Sequence, residues 1–520
     1  MGKKNIAINI IANMLSFIIS FGISFFLTPF IIRTIGAEAY GFVALGNTLI
    51  SYIVFITYSL NLIAGRYVTI EIHQNNFANA NKYFSSVLII NVVLSIIIVI
   101  PTTLAILHID KLMNISPQLV SDVELLFMFI IINFILTVLS SCFGVATYAT
   151  NKVYLTTMRS IESTVIKCIV LVGLYMFFSS KVFYIGAVLF LTTVYNFVWN
   201  IYYMQKLLPE IKVALRFFNF GAVKELIISG FWNVITKIGE ILLDGLDILI
   251  CNILISSAVM GTLAIAKTIP GMILTLVFLL VYAYLPSITI SYAKEDIDDM
   301  KKILIQCVKI IGAFINVFLV MLVVLGDMFY KLWVPTQDEK VLYILSILIA
   351  MNLLIRGPSY ILSQCFLVVD KLRNQAYAVV LSGIISITIV FILLNNTHLG
   401  VYAVVGVSSI VIMMRELVFT LPYAAKCLDM KWNTFYPAVM KNALSFFIAL
   451  IIIYPLRMLF QIDSWLSLLI CTGGGAVMVM GVGFIIVFSK DEKKNVLGIA
   501  KRAFESIYNC NQTCQKMINK

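Results

Sequence analysis

Residues 230–252 read GFWNVITKIGEILLDGLDILICN. The stretch is long and apolar enough to cross a bilayer as one helix, yet it carries Lys237, Glu240, Asp244 and Asp247. At about 100° per residue, Asn233, Lys237, Glu240, Asp244 and Asp247 fall within roughly 80° of one another. They form a polar stripe on an otherwise greasy helix. A charge near the bilayer centre costs at least about 2.5 kcal/mol, so the stripe cannot face lipid. It faces other helices or water. Two readings stay open: a salt bridge that only holds helices together, or the wall of a hydrophilic cavity.

The rest of the chain has the same character. Of its 520 residues, 61% are hydrophobic and only 12% are charged. Such a composition predicts an all-α polytopic membrane protein. Nine cysteines are scattered without CxxC or Cys/His ligand spacing. Most lie in apolar segments, where small buried residues are ordinary. Cys510 and Cys514 read as reduced cytosolic thiols, with metal binding as the weaker alternative. The first apolar run is too long for a cleavable signal peptide and reads as a retained helix.

About fourteen stretches of roughly 20 residues each suffice to cross a hydrocarbon core of about 30 Å. Their limits are 8–32, 41–64, 84–107, 122–147, 161–179, 184–204, 226–254, 259–285, 304–326, 341–366, 375–394, 399–424, 436–460 and 464–488. The loops are short, and none is large enough to fold as a soluble domain. Of the 37 lysines and arginines, 26 fall in one alternating set of loops and termini, 6 in the other and 5 within spans. The excess of basic residues on one side places both termini in the cytoplasm. It also accounts for the net charge of +12 as a topology signal. A nucleic-acid partner would call for one basic face with interleaved aromatics, which is not seen. Beyond the last span, the tail alternates basic and apolar residues. It reads as an amphipathic helix on the inner leaflet or as a solvated tail.

Slid by about 220 residues, the chain matches itself. Tyr40-Gly41-Phe42-Val43-Ala44-Leu45 falls on Met260-Gly261-Thr262-Leu263-Ala264-Ile265, Thr48 on Thr268, Lys82 on Lys302 and Asn13 on Asn233. With one residue removed, Asn151-Lys152 meets Asp370-Lys371. Six spans are repeated, and because six is even both copies share one orientation. The repeat is parallel, about an axis along the membrane normal. The chain therefore divides into an N-lobe (1–220), a C-lobe (221–430), two added spans (431–488) and a cytoplasmic tail (489–520). Span one superposes on span seven and carries its own stripe, Asn9, Asn13, Ser16, Ser20 and Ser24, again within about 80°.

The remaining intramembrane charges are candidates for the same cavity. Lys267 stands in span eight where the first repeat has Asn47. Arg356, in Arg356-Gly357-Pro358, is expected to break span ten, and Arg415 sits deep in span twelve beside Glu416. Each also has a structural reading: Lys237 neutralising Glu240 or Asp244, Arg356 capping carbonyls freed by the Gly-Pro break, Lys167 snorkelling to the inner face.

Thr28-Pro29-Phe30, the loop Ile35-Gly36-Ala37-Glu38-Ala39-Tyr40-Gly41, and Leu60-Asn61-Leu62-Ile63-Ala64-Gly65-Arg66-Tyr67 resemble the O-antigen and capsule oligosaccharide flippases, the Wzx group. These belong to the multidrug/oligosaccharidyl-lipid/polysaccharide (MOP) exporter superfamily. Asp247-Ile248-Leu249-Ile250 and Pro286 fit the same pattern. The resemblance covers the whole chain through loose punctuation by Gly, Tyr and Pro. It implies a MATE-like fold in the bacterial cytoplasmic (inner) membrane. It implies a cargo of undecaprenyl-diphosphate-linked sugar units, moved from inner to outer leaflet by alternating access for surface polysaccharide. It implies, as partners, the bilayer and the polymerase and chain-length proteins of the same pathway.

The residues suit that cargo. Lysine and arginine offer point-charge and bidentate contacts to a diphosphate, and Asn and Ser suit sugar hydroxyls. No cofactor and no catalytic or metal-binding constellation is expected; protons, Na⁺ or the membrane potential are the candidate driving forces. A cation-coupled drug exporter of the MATE type should show cavity acids outnumbering bases. A membrane-embedded polymerase or glycosyltransferase should show a sizeable outer loop with acidic and arginine clusters. Neither pattern is present.

Cysteines placed at Lys111 and Lys340 are expected to react with an impermeant thiol reagent from outside the cell, and cysteines at Lys212 and Lys426 are not. The reverse labelling would overturn the topology and the direction of movement with it.

Overall fold

Every expected span coincides with helix because no other regular structure satisfies its own backbone in hydrocarbon. The computed structural model describes residues 3–212, 214–455, 457, 463–490 and 492–493. The tail helix expected beyond them, with Cys510 and Cys514, lies outside the described residues. Helices run Lys3–Ile35, Ala37–His73, Phe77–Ile106, Val120–Ala149, Tyr154–Phe177, Phe183–Leu207, 220–254, Ser257–Ala293, Ile297–Trp333, Glu339–Val368, Leu372–Asn396, Val401–Cys427, Tyr436–Ile453 and Trp465–Val487. Among the described residues there is no strand. Twelve of these helices are long and apolar enough to cross a membrane, and a bent pair in span seven makes a thirteenth. The protein is a multi-pass membrane protein.

The internal repeat is written into the helix ends. Span two begins at Ala37 and ends at His73; span eight begins at Ser257 and ends at Ala293, each 220 positions later. Spans three and nine begin at Phe77 and Ile297, the same offset. Spans four, five and six end at Ala149, Phe177 and Leu207, and spans ten, eleven and twelve end at Val368, Asn396 and Cys427, 219 or 220 positions on. The turns repeat as well. Asn75 and Glu295 take the left-handed conformation at φ 59° and 58°, and Asn151 and Asp370 at 54° and 53°. A left-handed residue closes a helix end by aligning the next amides with its last carbonyls, so equivalent turns mean equivalent helix exits.

Span ten corrects one expectation. Arg356-Gly357-Pro358 lies inside a helix, Leu353–Val368, and the break falls earlier, at Asn352. Pro358 cannot donate to the Leu354 carbonyl four residues back, yet the helix runs on through that point and the turn at Asn352 lies two residues further upstream.

The helices gather into two compact units. The first runs to Met272 and adds Tyr330–Ile349 and Lys371–Arg415; the second comprises Ile273–Phe329, Ala350–Asp370 and the chain from Glu416. Inside the second, fully buried Asn442 donates to the Val308 carbonyl at 3.1 Å and accepts from Asn316 Nδ2 on its own carbonyl at 2.8 Å. These bonds tie span thirteen to span nine. At the end of span fourteen, Lys309 Nζ meets both Glu492 oxygens at 2.7 and 2.8 Å. Partial burial raises the carboxyl pKa, but Lys309 and Ser489 outweigh it and hold Glu492 below the usual carboxylate range.

In the first unit, spans two and eight cross at glycine. A Cβ on Gly41 would lie 2.8 Å from Gly261 Cα, and one on Gly261 would lie 2.2 Å from the Ala37 carbonyl oxygen. Gly41 and Gly261 are repeat equivalents, and equivalent residues touch only beside the axis that relates them. The missing side chains let the backbones approach closely, the ordinary basis of helix packing in membranes. Gly261→Ala is expected to force these helices apart at a cost of about 1–3 kcal/mol. A fall in the unfolding midpoint of detergent-purified protein checks this; an unchanged midpoint would mean that the crossing is looser than described.

Candidate functional site

Span seven is not one regular helix. It is α-helical over Phe220–Glu240, makes a π turn over Ile241–Gly245, and resumes as an α-helix over Asp247–Leu254. In the π turn the Leu246 amide reaches back five residues, to the Ile241 carbonyl at 3.1 Å. The wider turn inserts one residue and rotates everything after it relative to what precedes it. The stripe expected on a regular helix is thereby divided in two.

The upstream part holds Asn233, Lys237 and Glu240. Lys237 Nζ and Glu240 Oε2 pair at 2.7 Å, one helical turn apart, with about a third of each side chain accessible. Asn233 lies half-buried one turn earlier. Beside this part Gly239 packs against span eleven, where an added Cβ would sit 2.7 Å from the Val380 amide nitrogen.

The downstream part is a closed cluster. Asp247, 6% exposed, receives Lys267 Nζ on Oδ2 at 2.9 Å and Ser408 Oγ on Oδ1 at 3.1 Å. The same ammonium donates to the Asp244 carbonyl at 3.0 Å. The Tyr52 hydroxyl donates to the Gly245 carbonyl, with its ring lying on the space left by the glycine. A π turn leaves carbonyls without their usual intrahelical donors, and a carbonyl buried in hydrocarbon needs a partner. Lys267 and Tyr52 supply two such donors.

Lys267 sits at an irregular turn of span eight, where Pro270 has no N–H to give the Ala266 carbonyl. One helix ends at Ala266 and the next begins at Thr268. The Ala266 carbonyl accepts from fully buried Ser346 Oγ at 2.9 Å, and Ser346 also bonds the Tyr330 hydroxyl at 2.5 Å. Four spans, seven, eight, ten and twelve, thus meet through Asp247, Lys267, Ser346 and Ser408. In the first repeat span two runs unbroken past Asn47. The break and its charge belong to the second repeat alone.

The other candidates are dispersed. Asn13 in span one accepts from Thr157 Oγ1 at 2.9 Å, and Asn9 bonds Asn151 Oδ1 at 3.0 Å and the Tyr154 amide at 2.8 Å. The inner end of that stripe therefore clasps span one to the start of span five. Arg415 closes the first unit, immediately before a second π turn, Glu416–Thr420. There the Tyr436 hydroxyl donates to the Leu417 carbonyl at 2.5 Å, the same device that Tyr52 supplies in span seven. Arg356 belongs to the second unit. Tyr52, Ser346, Ser408 and Tyr436 escape a reading of the sequence, because a lone serine or tyrosine in an apolar span carries no signal of its partner.

Replacing Lys267 by Ala leaves Asp247 buried without its cation, which should cost about 3–5 kcal/mol. The expected outcome is little folded protein in size-exclusion profiles. Adding Asp247→Asn should restore most of it, since the amide retains the Ser408 contact without a charge. Failure of the second change to restore folding would mean that Lys267 acts mainly on the Asp244 carbonyl.

No family model matches the chain. A relative in Bacillus subtilis (strain 168), described as the uncharacterized membrane protein EpsK, is 26% identical over 479 residues, covering 91% of this chain and 93% of that protein. Among solved structures, a lipid II flippase, MurJ, in an inward closed conformation is similar with a TM-score of 0.64 at 14% identity, covering 91% of this chain and 97% of its own. An inward-facing MATE family multidrug resistance transporter of the MOP superfamily also gives 0.64, at 13% identity, covering 80% of this chain and 94% of its own. A MOP superfamily transporter from Pyrococcus furiosus, noted for reversed polarity of its binding pocket, gives 0.62 at 12% identity, covering 81% and 95%. The chain has a MATE-like fold, shared with these transporters.

Proposed function

We propose that this protein is a flippase of the Wzx kind. It moves undecaprenyl-diphosphate-linked oligosaccharide units from the inner to the outer leaflet of the bacterial cytoplasmic membrane, by alternating access, with both termini in the cytoplasm. The observation that carries the reading is coverage. The lipid II flippase accounts for 91% of this chain, whereas the MATE transporter accounts for 80% of it. The likeness to a carrier of a lipid-borne cargo thus extends over more of the chain than the likeness to a drug exporter.

The charges support the same side. A carrier of cationic drugs needs uncompensated acid in its cavity. Here Asp247 is matched by Lys267 and Glu240 by Lys237. The two repeats act as lobes, residues 1–220 and 221–430, and Lys237, Lys267, Arg356 and Arg415 are the cations that would meet the diphosphate. Lys237 is the foremost of these, since it remains accessible while paired. Exchange of Glu240 for water or phosphate as its partner needs no new buried charge.

Lys237→Ala is expected to abolish surface glycan while the protein inserts at normal levels, because a pair this accessible stabilises the fold little. The double change Lys237→Ala with Glu240→Ala separates the alternatives. A carrier role keeps export low in the double variant; recovery of surface polysaccharide per folded molecule would assign the pair a purely structural role.

A further inference from the structure

A second polar cluster lies in the first unit, between spans five and six. Arg159 Nη1 meets Glu162 Oε2 at 2.6 Å, and the Tyr195 hydroxyl donates to the same oxygen. The guanidinium lies over the Trp199 ring, 4.2 Å from its centroid, and contacts the Tyr195 hydroxyl at 3.3 Å. Trp199 is backed by Tyr203, with centroids 5.6 Å apart. The arginine is therefore fixed in plane by stacking and in direction by its bonds.

Three features set this cluster apart from an ordinary surface pair. The first is depth. At 1.5 Å per residue, Glu162 lies about 12 Å along its helix from Tyr154, and Trp199 about 12 Å from Leu207. Both residues lie inside helices long and apolar enough to cross a membrane, Glu162 near the start of its span. The second is exposure: 41% of the Glu162 side chain is accessible. A carboxylate this open inside a span is disfavoured against lipid chains and suits a wetted surface better. The third is an unused acceptor. Both contacts fall on Oε2, and among the described residues Oε1 has no hydrogen-bond donor.

We infer that Glu162, with Tyr195 and the arginine that orients it, forms a carbohydrate-binding subsite on the path of the cargo. The inference rests on the flippase reading and names where the sugar part of the cargo is held. Arg159 cancels the charge of Glu162 at close range, so neither an anion nor a cation gains much from the cluster as a whole. A carboxylate oxygen with free lone pairs beside a phenol hydroxyl and aromatic edges suits a neutral polyol. Its hydroxyls donate to Oε1 in charge-assisted bonds, about twice as strong as neutral ones. Trp199 and Arg159 are positioning residues; Glu162 and Tyr195 make the contact. The subsite belongs to the first repeat, apart from the lysines and arginines of the second that would face the diphosphate.

The test uses the full chain in lipid nanodiscs and two probes. One is oligosaccharide released from the cells' own lipid-linked pool and freed of phosphate; the other is inorganic pyrophosphate. Wild-type protein is expected to bind the oligosaccharide, with an affinity that changes little between low and high salt. Glu162→Gln and Tyr195→Phe should each weaken that binding about tenfold and leave pyrophosphate binding unchanged. Tyr195→Phe keeps the Arg159–Glu162 pair, so it remains informative if Glu162→Gln folds poorly. Absence of oligosaccharide binding by folded wild-type protein, or equal binding by both variants, overturns the subsite. So does loss of pyrophosphate binding in either variant, which would make this an anion site. Translocation of the intact lipid-linked unit is measured in parallel. Translocation by the wild type with unaltered sugar binding in the variants sinks the subsite and leaves the flippase reading standing. Sugar binding through Glu162 without translocation does the reverse.

Discussion

A buried carboxylate, Asp247, and the part-buried ammonium of Lys267 tie together spans seven and eight of the first unit. Neither is tolerable alone at that depth, since an isolated ion in a low-dielectric interior costs several kcal/mol even after relaxation. Together they stand at two irregularities that a membrane helix otherwise avoids. The π turn of span seven exposes carbonyls that Lys267 and Tyr52 take up. Lys267 itself sits at the irregular turn of span eight, and Ser408 brings span twelve to the same carboxylate. Remove the pair and each irregularity loses the bond that makes it affordable in hydrocarbon.

Such irregularity has a use in a carrier that alternates between two faces. Regular helices packed along their whole length resist bending, whereas π turns and broken spans concentrate conformational freedom at a few residues. Here the π turns sit in spans seven and twelve of the second repeat, while broken spans occur in both repeats, at Gly144 in span four and at Lys267 and Asn352 in spans eight and ten. In the first repeat span two is continuous and span one is clasped to span five through Asn9 and Asn13. The two halves share helix ends and turn conformations, but among the described residues the π turns fall in the second alone. In the proposed cycle the second lobe supplies the charge and the π turns.

Much of this was legible in the sequence. Hydropathy placed every span, and the matches Gly41 with Gly261 and Asn151 with Asp370 located a glycine crossing and a left-handed turn that the structure repeats. Those signals are local: apolar length, a residue without Cβ, a residue that tolerates positive φ. The site was only half legible. The pairing of Lys237 with Glu240 follows from their spacing on one helix. The pairing of Asp247 with Lys267 does not, because it depends on a π turn that no residue type announces and on a break 20 residues away. Span ten shows the same limit, since the proline was visible while the helix break lies six residues upstream, at Asn352, which no residue type announces. Arg159 was counted among the basic residues that set topology, and that assignment hid its partnership with Glu162.

The compensation of charge inside the spans bears on what drives the proposed movement. Asp247 already holds a tethered cation, so binding a soluble one there would first require parting it from Lys267 at a cost set by desolvation. The cargo brings its own charge. A diphosphate carrying about two negative charges gains roughly 4–5 kcal/mol when moved outward across a potential of about 100 mV. That equals a factor of more than 10³ in the ratio of outer to inner cargo at equilibrium, by the rule that each 1.4 kcal/mol is about tenfold. A carrier whose cavity cations are only lightly held, as Lys237 is by an accessible Glu240, can take up such a cargo inside and release it outside without exchanging an ion. On the proposed reading the membrane potential would suffice as the driving force, and the acids of span seven would keep the lysines tolerable in the fold before the cargo binds.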